Sequence, residues 1–489
     1  MRHVAVDIGA NGGTVYAGGR DGDAFAVEEV ARFDNRPVER DGRHVWDVEG
    51  LLADVRAGVR AARETGPVDT VGIDTWGLDF GLLRDGDLLR APYAYRDPAV
   101  SSTRDAILEC VEPRMLFEST GINHWNTPNT LWQYHYLARE ERDLLERADR
   151  LLMMPQLLTY LLGGAPVVEE TVASTTQMFD PVSRAWTGGL LETLGLPTDL
   201  LPPVEPAGTR VGTYDPVEPW ADPPALVLPA SHDTAAAVAG LPLTDESRAF
   251  LNTGTWFLGG VELETPDRSQ RAFAGGISNE LGVDGTVRFL RNVTGFFLLE
   301  ECRVAWRERG EPVDYETLLD AAREAEAFGP LVDPDADAFD ITGSMPAQLR
   351  SYCEATGQPV PDDRGELVRC VVESLVAKTA VTLEDVFETA EVDPDAVHVG
   401  GGGVENELFC RMLADALDRR VEAGPVEATA IGNLLTQAMA ADTVDSLDSG
   451  RRLVADSVAV TTYEPTADGA WADALEQMRR LEGDAQRTV

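Results

Sequence analysis

Val4-Ala5-Val6-Asp7-Ile8-Gly9-Ala10-Asn11-Gly12-Gly13-Thr14-Val15-Tyr16 opens the chain as an apolar strand, a glycine-rich turn and a second strand. Glycines let the backbone turn tightly and present N–H groups to an anion. Asp7 falls at the strand end, where a carboxylate can hold a hydrated Mg2+. No GKS or GKT follows, and the next element is a strand, which excludes a Walker A loop and a dinucleotide fingerprint. An ordinary hairpin with a glycine turn would look the same locally. The second half of the chain, however, opens in the same way. Ala249-Phe250-Leu251-Asn252-Thr253-Gly254-Thr255-Trp256-Phe257-Leu258-Gly259 again runs strand, Thr/Gly turn, strand. Two such hairpins facing one another could clamp a polyphosphate.

Between the hairpins, Ala225 to Leu228 reads as a buried strand closed by Pro229. It leads into Ala230-Ser231-His232-Asp233-Thr234-Ala235 and then a run of small residues to Gly240, suited to a tightly packed helix. A carboxylate between strand and helix, with His and Thr beside it, is placed to take a proton. Capping the following helix is the simpler alternative. Val71-Gly72-Ile73-Asp74-Thr75-Trp76-Gly77 is another strand that delivers polar and aromatic groups to its end. Trp76 suits either the core or a sugar face.

Tyr93 to Asp97 and Gly121 to Thr127 are polar-aromatic loops that suit a substrate with many hydroxyls, and Asn292 offers an amide to one of them. The Thr-rich stretch from Thr171 to Phe179 reads as a solvated loop and edge strand. Ala396 to Val399 is a strand ending in four glycines, Gly400 to Gly403, before a helix; there a flat ring or phosphate can lie against the backbone. Helical spacing predicts helices over 48–65, 130–147 and 366–388, with an amphipathic helix from Trp471 to close the chain. The acidic segment from Asp314 to Asp340 is weakly patterned and receives no role.

At 489 residues the chain can build two sizeable domains. The reading divides them at 241/242, with the last helix free to pack back on the first. Asp plus Glu total 84 against 41 Lys plus Arg, a net charge of −43, and Lys378 is the single lysine. Phosphate contacts need clustered basic residues, so a nucleic-acid partner is disfavoured. The acids are spread along the chain, which fits a protein kept soluble at high salt, where self-repulsion is screened. A halophilic source is the expectation. No run of about eighteen apolar residues predicts a membrane span, and the direct start into a strand reads as cytoplasmic. Five cysteines without CxxC spacing argue against zinc and for free thiols.

Taken together, Asp7-Ile8-Gly9-Ala10, Gly72 to Gly77, Tyr95-Arg96-Asp97, Ala230 to Ala235, Gly254-Thr255-Trp256, Gly400 to Gly402 and Gly424 to Ala428 resemble the FGGY carbohydrate kinases over essentially the full length. The L-rhamnulose-phosphorylating branch is the most similar. The resemblance implies an α/β fold of two ribonuclease-H-like domains in the actin-like ATPase architecture, with a cleft between them. It implies ATP-dependent phosphorylation of a ketose, L-rhamnulose at its 1-hydroxyl, with L-fuculose or xylulose as alternatives and a non-catalytic sugar-binding regulator as a further one.

Carried over, Asp233 looks like the catalytic base, and Gly77, His232, Thr234 and Asn292 like sugar contacts, joined by Asp74 and Trp76. Ala10, Asn11, Gly12, Gly13, Thr14, Thr255, Glu300 and Gly402 look like nucleotide contacts, and Asp7 like the Mg2+ ligand. A monomer or homodimer is expected, with no membrane partner. Relatives can carry Arg in place of Thr14 and Gln in place of Glu300. In some, a disulfide joins the positions matching Cys353 and Cys370.

Overall fold

The computed structural model describes residues 1–101, 103–125, 129–217, 219–244, 248–339, 343–466 and 469–485. The chain forms two compact units. Met1–Thr244, Glu262–Phe289 and Glu427–Val458 make the first; Asp245–Val261, Leu290–Val426 and Ala459–Val489 make the second. Neither unit is one continuous stretch of chain, because the second half returns two segments to the first unit. The last helix, Ala472–Ala485, does not return with them; it belongs to the second unit, where Glu482 on it reaches Lys378 (2.7 Å).

In the first unit, strand His3–Gly9 pairs antiparallel with Gly12–Asp21 and parallel with Thr70–Thr75, which pairs parallel with Ala225–Val227. Arg210–Thr213 and Ala24–Asp34 complete the six-stranded sheet at its edges. The central strands are covered on both faces, and their sequences are accordingly near-continuous apolar runs. Side chains alternate between the faces. Val4, Val6 and Ile8 join a core with Leu51, Leu52, Val55 and Val59 of helix Val48–Thr65. Ala5 joins another with Ala235, Ala236, Ile431 and Leu434. Asp7 shares the parity of Ala5, and so points toward the helices Asp233–Gly240 and Ala428–Ala440.

Those two helices lie in close contact through glycine. A Cβ on Gly432 would stand 1.8 Å from the Ala236 carbonyl oxygen, and one on Gly240 2.0 Å from that of Ala428. The small residues after Asp233 thus set a backbone-to-backbone approach that larger side chains would prevent.

The second unit repeats the pattern. Strand Ala249–Thr253 pairs antiparallel with Trp256–Leu263 and parallel with Ala396–Gly401, which pairs parallel with Arg420–Ala423. The predicted long helix spans Arg364–Ala390. Within the acidic 314–340 stretch, Tyr315–Glu324 is helical, and Asp333 and Asp335 sit beside the buried Lys378 at 2.9 and 3.3 Å. That stretch thus supplies the counter-charge for the chain's single lysine. Predicted helix 130–147 is broken in two, Thr130–Glu140 and Arg142–Arg147.

Candidate active site

Three adjacent parallel strands of the first unit bring acids to one sheet end. Asp7 lies opposite Asp74 in register, and Thr75 bridges to His232, its N–H donating to the Ser231 carbonyl (3.0 Å). Carboxyl ends of parallel strands are where α/β sheets place their ligands. Asp74 is fully buried: Oδ2 accepts from Asn433 Nδ2, and Oδ1 has no hydrogen-bond partner among the described residues. Burial, and then the charge of Asp7, drives Asp74 well above the carboxylate range. Burial and the neighbouring Asp233 push Asp7 up to about 7. Asp74, expected at the sugar, has no exposed surface. Gly72 clears space for this arrangement, since a Cβ there would meet Asn433 Oδ1 and Gln437 Nε2, both at 2.8 Å.

Asp233 is the first residue of its helix; the N-cap position belongs to His232, whose side chain makes no capping bond. Asp233 Oδ1 accepts from the Thr234 N–H (2.5 Å) and hydroxyl (3.1 Å), with His232 Nε2 at 3.4 Å. Oδ2 has no partner among the described residues, and 32% of the side chain is exposed. Burial raises the carboxyl to about 6 against the pull of the Thr234 hydrogen bonds. A reachable, unpartnered oxygen with that basicity suits a general base.

Behind His232 stand groups that sequence reading missed. Arg288 Nη2 lies 3.2 Å from His232 Nδ1 and 3.0 Å from Glu280 Oε2, with all three side chains buried. Glu169 accepts from the N–H groups of Thr171 (2.9 Å) and Ser231 (3.0 Å) and from the Thr171 hydroxyl (2.5 Å). It thereby ties the loop holding Asp233 to helix Glu170–Ala173. Burial raises its carboxyl to about 7. The one available signal was an acid just before Thr171, in a cap position. The Thr171–Phe179 stretch is correspondingly buried, Thr171, Ser174 and Thr176 completely so. The expected solvated loop is absent because its hydroxyls bond backbone carbonyls three residues back, as Ser174 does to Thr171 (2.8 Å).

Gly77 lies against the same group, where a Cβ would stand 2.9 Å from Thr175 Oγ1 and 3.6 Å from His232 Nε2. It begins a γ-turn, with Asp79 N–H donating to the Gly77 carbonyl (3.0 Å) and Leu78 at φ +78°. Such backbone is strained for leucine and needs support. Asp79 supplies it by accepting from the indoles of Trp46 (2.6 Å) and Trp76 (2.9 Å), the Gln133 amide (2.7 Å) and the Tyr95 N–H (3.2 Å). Trp76 is thus held in the core, 7% exposed and 4.1 Å from the Trp46 ring, rather than presented to a sugar. Tyr95 and Asp97 are likewise taken up in packing, Asp97 by Arg43 (2.9 Å). His124 is close enough to His232 to disfavour its charge; Asn126 and Thr127 lie outside the described residues. Asn292 belongs to the second unit, its Oδ1 buried without a partner.

Of the predicted nucleotide residues, Ala10 and Asn11 form the first hairpin turn, closed by Gly9 opposite Gly12. Asn11 is exposed and Thr14 half-buried opposite Asp7. Gly13 is buried because the Phe33 ring covers it at 2.2 Å from a would-be Cβ; its smallness serves packing. In the second unit, the Thr255 carbonyl accepts from Gly295 N–H (3.0 Å), and Thr253 Oγ1 donates to the Gly400 carbonyl (2.5 Å). Gly401 and Gly403 are crowded by Thr253, whereas nothing lies within 4 Å of a Cβ on Gly402. Gly402 is exposed. An open backbone there can take a flat ring. The acid at Glu300 is neutralised locally by Arg303 (2.5 Å).

Asp7 and its neighbours offer carboxylate oxygens only, a donor set that fits a hard divalent cation retaining its waters. Among the described residues no cluster of three or more His, Cys, Asp or Glu could enclose a metal. All five cysteines are free. No described helix is long and apolar enough to cross a membrane.

Residues 3–240 match the N-terminal domain, and residues 249–441 the C-terminal domain, of the FGGY family of carbohydrate kinases. The rhamnulokinase of Bacteroides thetaiotaomicron is 37% identical over 473 residues, covering 96% of each chain. That of Pectobacterium carotovorum is 36% identical over 487 residues, 98% of this chain and 96% of the relative. Solved structures that share the fold include a ligand-bound xylulose kinase from Lactobacillus acidophilus (TM-score 0.78, 14% identity, 100% and 98% of the two chains). A Plasmodium falciparum glycerol kinase with ADP also shares it (TM-score 0.75, 15% identity, 100% and 98%). These likenesses carry the actin-like ATPase fold alone. The chain belongs to the FGGY family of carbohydrate kinases, phosphotransferases that act on an alcohol group.

Proposed function

We propose that the protein phosphorylates L-rhamnulose at its 1-hydroxyl, consuming ATP and releasing ADP and L-rhamnulose 1-phosphate. The observation that carries this reading is the match to rhamnulokinases over 96% and 98% of the chain. The free oxygen of Asp233 supplies a base for it. As the acceptor oxygen bonds to the terminal phosphorus, the bridging O–P bond to ADP breaks and the hydroxyl proton passes to Asp233 Oδ2. Thr234 holds Oδ1 through its N–H and hydroxyl, fixing the carboxylate plane, with His232 beside it. Thr255 and Gly402 would offer backbone to the nucleotide, as would the turn Ala10 to Thr14. Asp7 would hold Mg2+, which offsets phosphoryl charge when bound.

ATP is an intracellular metabolite and the thiols are free, so the protein works in the cytoplasm, as a monomer or homodimer. Its net charge of −43 suits a salt-rich interior. An ADP-release assay at high salt across L-rhamnulose, L-fuculose, xylulose and glycerol tests the reading. L-rhamnulose is expected to give the highest kcat/KM. Preference for another acceptor would remove the substrate, and sugar-independent turnover would remove the kinase.

A further inference from the structure

The chemistry that sets which oxygen of Asp233 is basic lies one shell behind it. A guanidinium has donors only. Arg288 Nη2 stands 3.2 Å from His232 Nδ1, and so that nitrogen must be the acceptor and the proton must sit on Nε2. Glu280 does not compete for an Nδ1 proton, because its nearest oxygen is 3.6 Å away, beyond hydrogen-bond length. Nε2 in turn is 3.4 Å from Asp233 Oδ1, the oxygen already engaged by Thr234.

We infer that Arg288, braced by Glu280, is a positioning residue that locks His232 as the neutral Nε2–H tautomer, so that an N–H rather than a lone pair faces the Asp233 Oδ1 held by Thr234 and leaves Oδ2 as the base.

Arg288 is itself held from several sides. Its Nε and Nη2 donate to the Leu281 carbonyl (3.2 and 3.1 Å), and Glu280 Oε2 at 3.0 Å balances its charge. The groups facing the imidazole are Arg288 and Glu280 from the strand side, His124 from its loop and Asp233 from the helix. Burial, Arg288 and His124 all lower the His232 pKa well below the ordinary value. An uncharged His232 keeps Asp233 more basic than an imidazolium neighbour would. A proton on Nδ1 instead would face the Arg288 donor and turn a lone pair toward Oδ1, repelling the carboxylate.

This inference rests on Asp233 being the base, yet its test is separate. Nitrogen-15 NMR of the full chain labelled at its six histidines, with His232 assigned by loss of its signals in His232→Gln, reads the tautomer directly. A protonated Nε2 and bare Nδ1 at neutral pH are expected. A proton on Nδ1, or an imidazolium, would overturn the inference whatever the enzyme's activity. The double variant Arg288→Gln/Glu280→Gln keeps a neutral buried pair but no longer enforces the tautomer. Its kcat is expected to fall about tenfold to a hundredfold, the scale of lost supporting contacts, with KM for ATP unchanged. Arg288→Lys, again donor-only, should restore both the spectrum and much of kcat. Wild-type kcat in a folded double variant would also overturn the inference, and the wild-type spectrum decides if no variant folds. Near-wild-type turnover in Asp233→Asn, by contrast, would remove the base assignment and leave the tautomer result standing.

Discussion

Asp7 and Asp74 face one another in the parallel register of neighbouring strands, and burial, then the charge of Asp7, drives the Asp74 carboxyl well above its ordinary value. Asn433 Nδ2 donates to Asp74 Oδ2, while Oδ1 has no partner among the described residues. Burial thus favours the neutral form of Asp74. Asp233 is the remaining carboxylate, and it keeps a reachable oxygen free.

Asp233→Asn should lower kcat by about a hundredfold to ten-thousandfold, the usual contribution of a positioned base. Nucleotide affinity, measured by calorimetry, should hold, since the change is isosteric. Turnover close to wild type would exclude the assignment.

Activity and stability should respond to pH in opposite directions. The base must be ionised, so kcat/KM should rise through about 6, the value to which Asp233 is raised, and level off above it. Asp7 and Glu169 at about 7, and Asp79 at about 6, are also raised by burial. A carboxyl raised on folding adds stability when protonated and loses it as pH climbs through its folded value. The lowered histidines His3, His124 and His232 oppose this only below their ordinary 6.5. Between pH 8 and 6.5 the thermal midpoint should therefore increase as acid is added. A flat or falling midpoint in that window would contradict the buried-carboxylate account.

Lys378→Met should destabilise the protein by about 3–5 kcal/mol, the scale for removing one partner from a buried ion pair. Burial opposes the lysine's charge, but Asp335, Asp333 and Glu482 outweigh it and hold the pKa above the ordinary value. Without it those acids face each other uncompensated. Urea unfolding at fixed salt measures the loss; a change under 1 kcal/mol, about the scale of an exposed pair, would mean the cluster is solvated.

Gly432→Ala should cost about 1–3 kcal/mol through overpacking and lower kcat as well. The added methyl meets the Ala236 carbonyl on the helix that begins with Asp233, so the strain is relieved by moving the base. Full activity with reduced stability would separate the helix contact from catalysis.

Much of this was legible in the chain. The two strand-turn-strand openings, the strand ends at Asp7, Asp74 and Asp233, and the Gly400–Gly403 run all stand in local sequence, because strand period, glycine turns and apolar runs are local properties. Their partners are not local. Arg288 and Glu280 approach His232 from strands formed some fifty residues later, and Asn433 reaches Asp74 from |i−j| = 359. Resemblance pointed to Asp74 and Trp76 as sugar contacts; only packing shows Asp74 buried against Asn433 and Trp76 bonded to Asp79. Thr-rich 171–179 looked solvated because hydroxyls are polar, yet in the fold they satisfy backbone carbonyls and can be buried. Sequence by itself determined which acids stand at strand ends and that two similar sheets would form. Tertiary structure decided which of those acids keeps a reachable, unpartnered oxygen, since that depends on donors brought together from segments that no local pattern links.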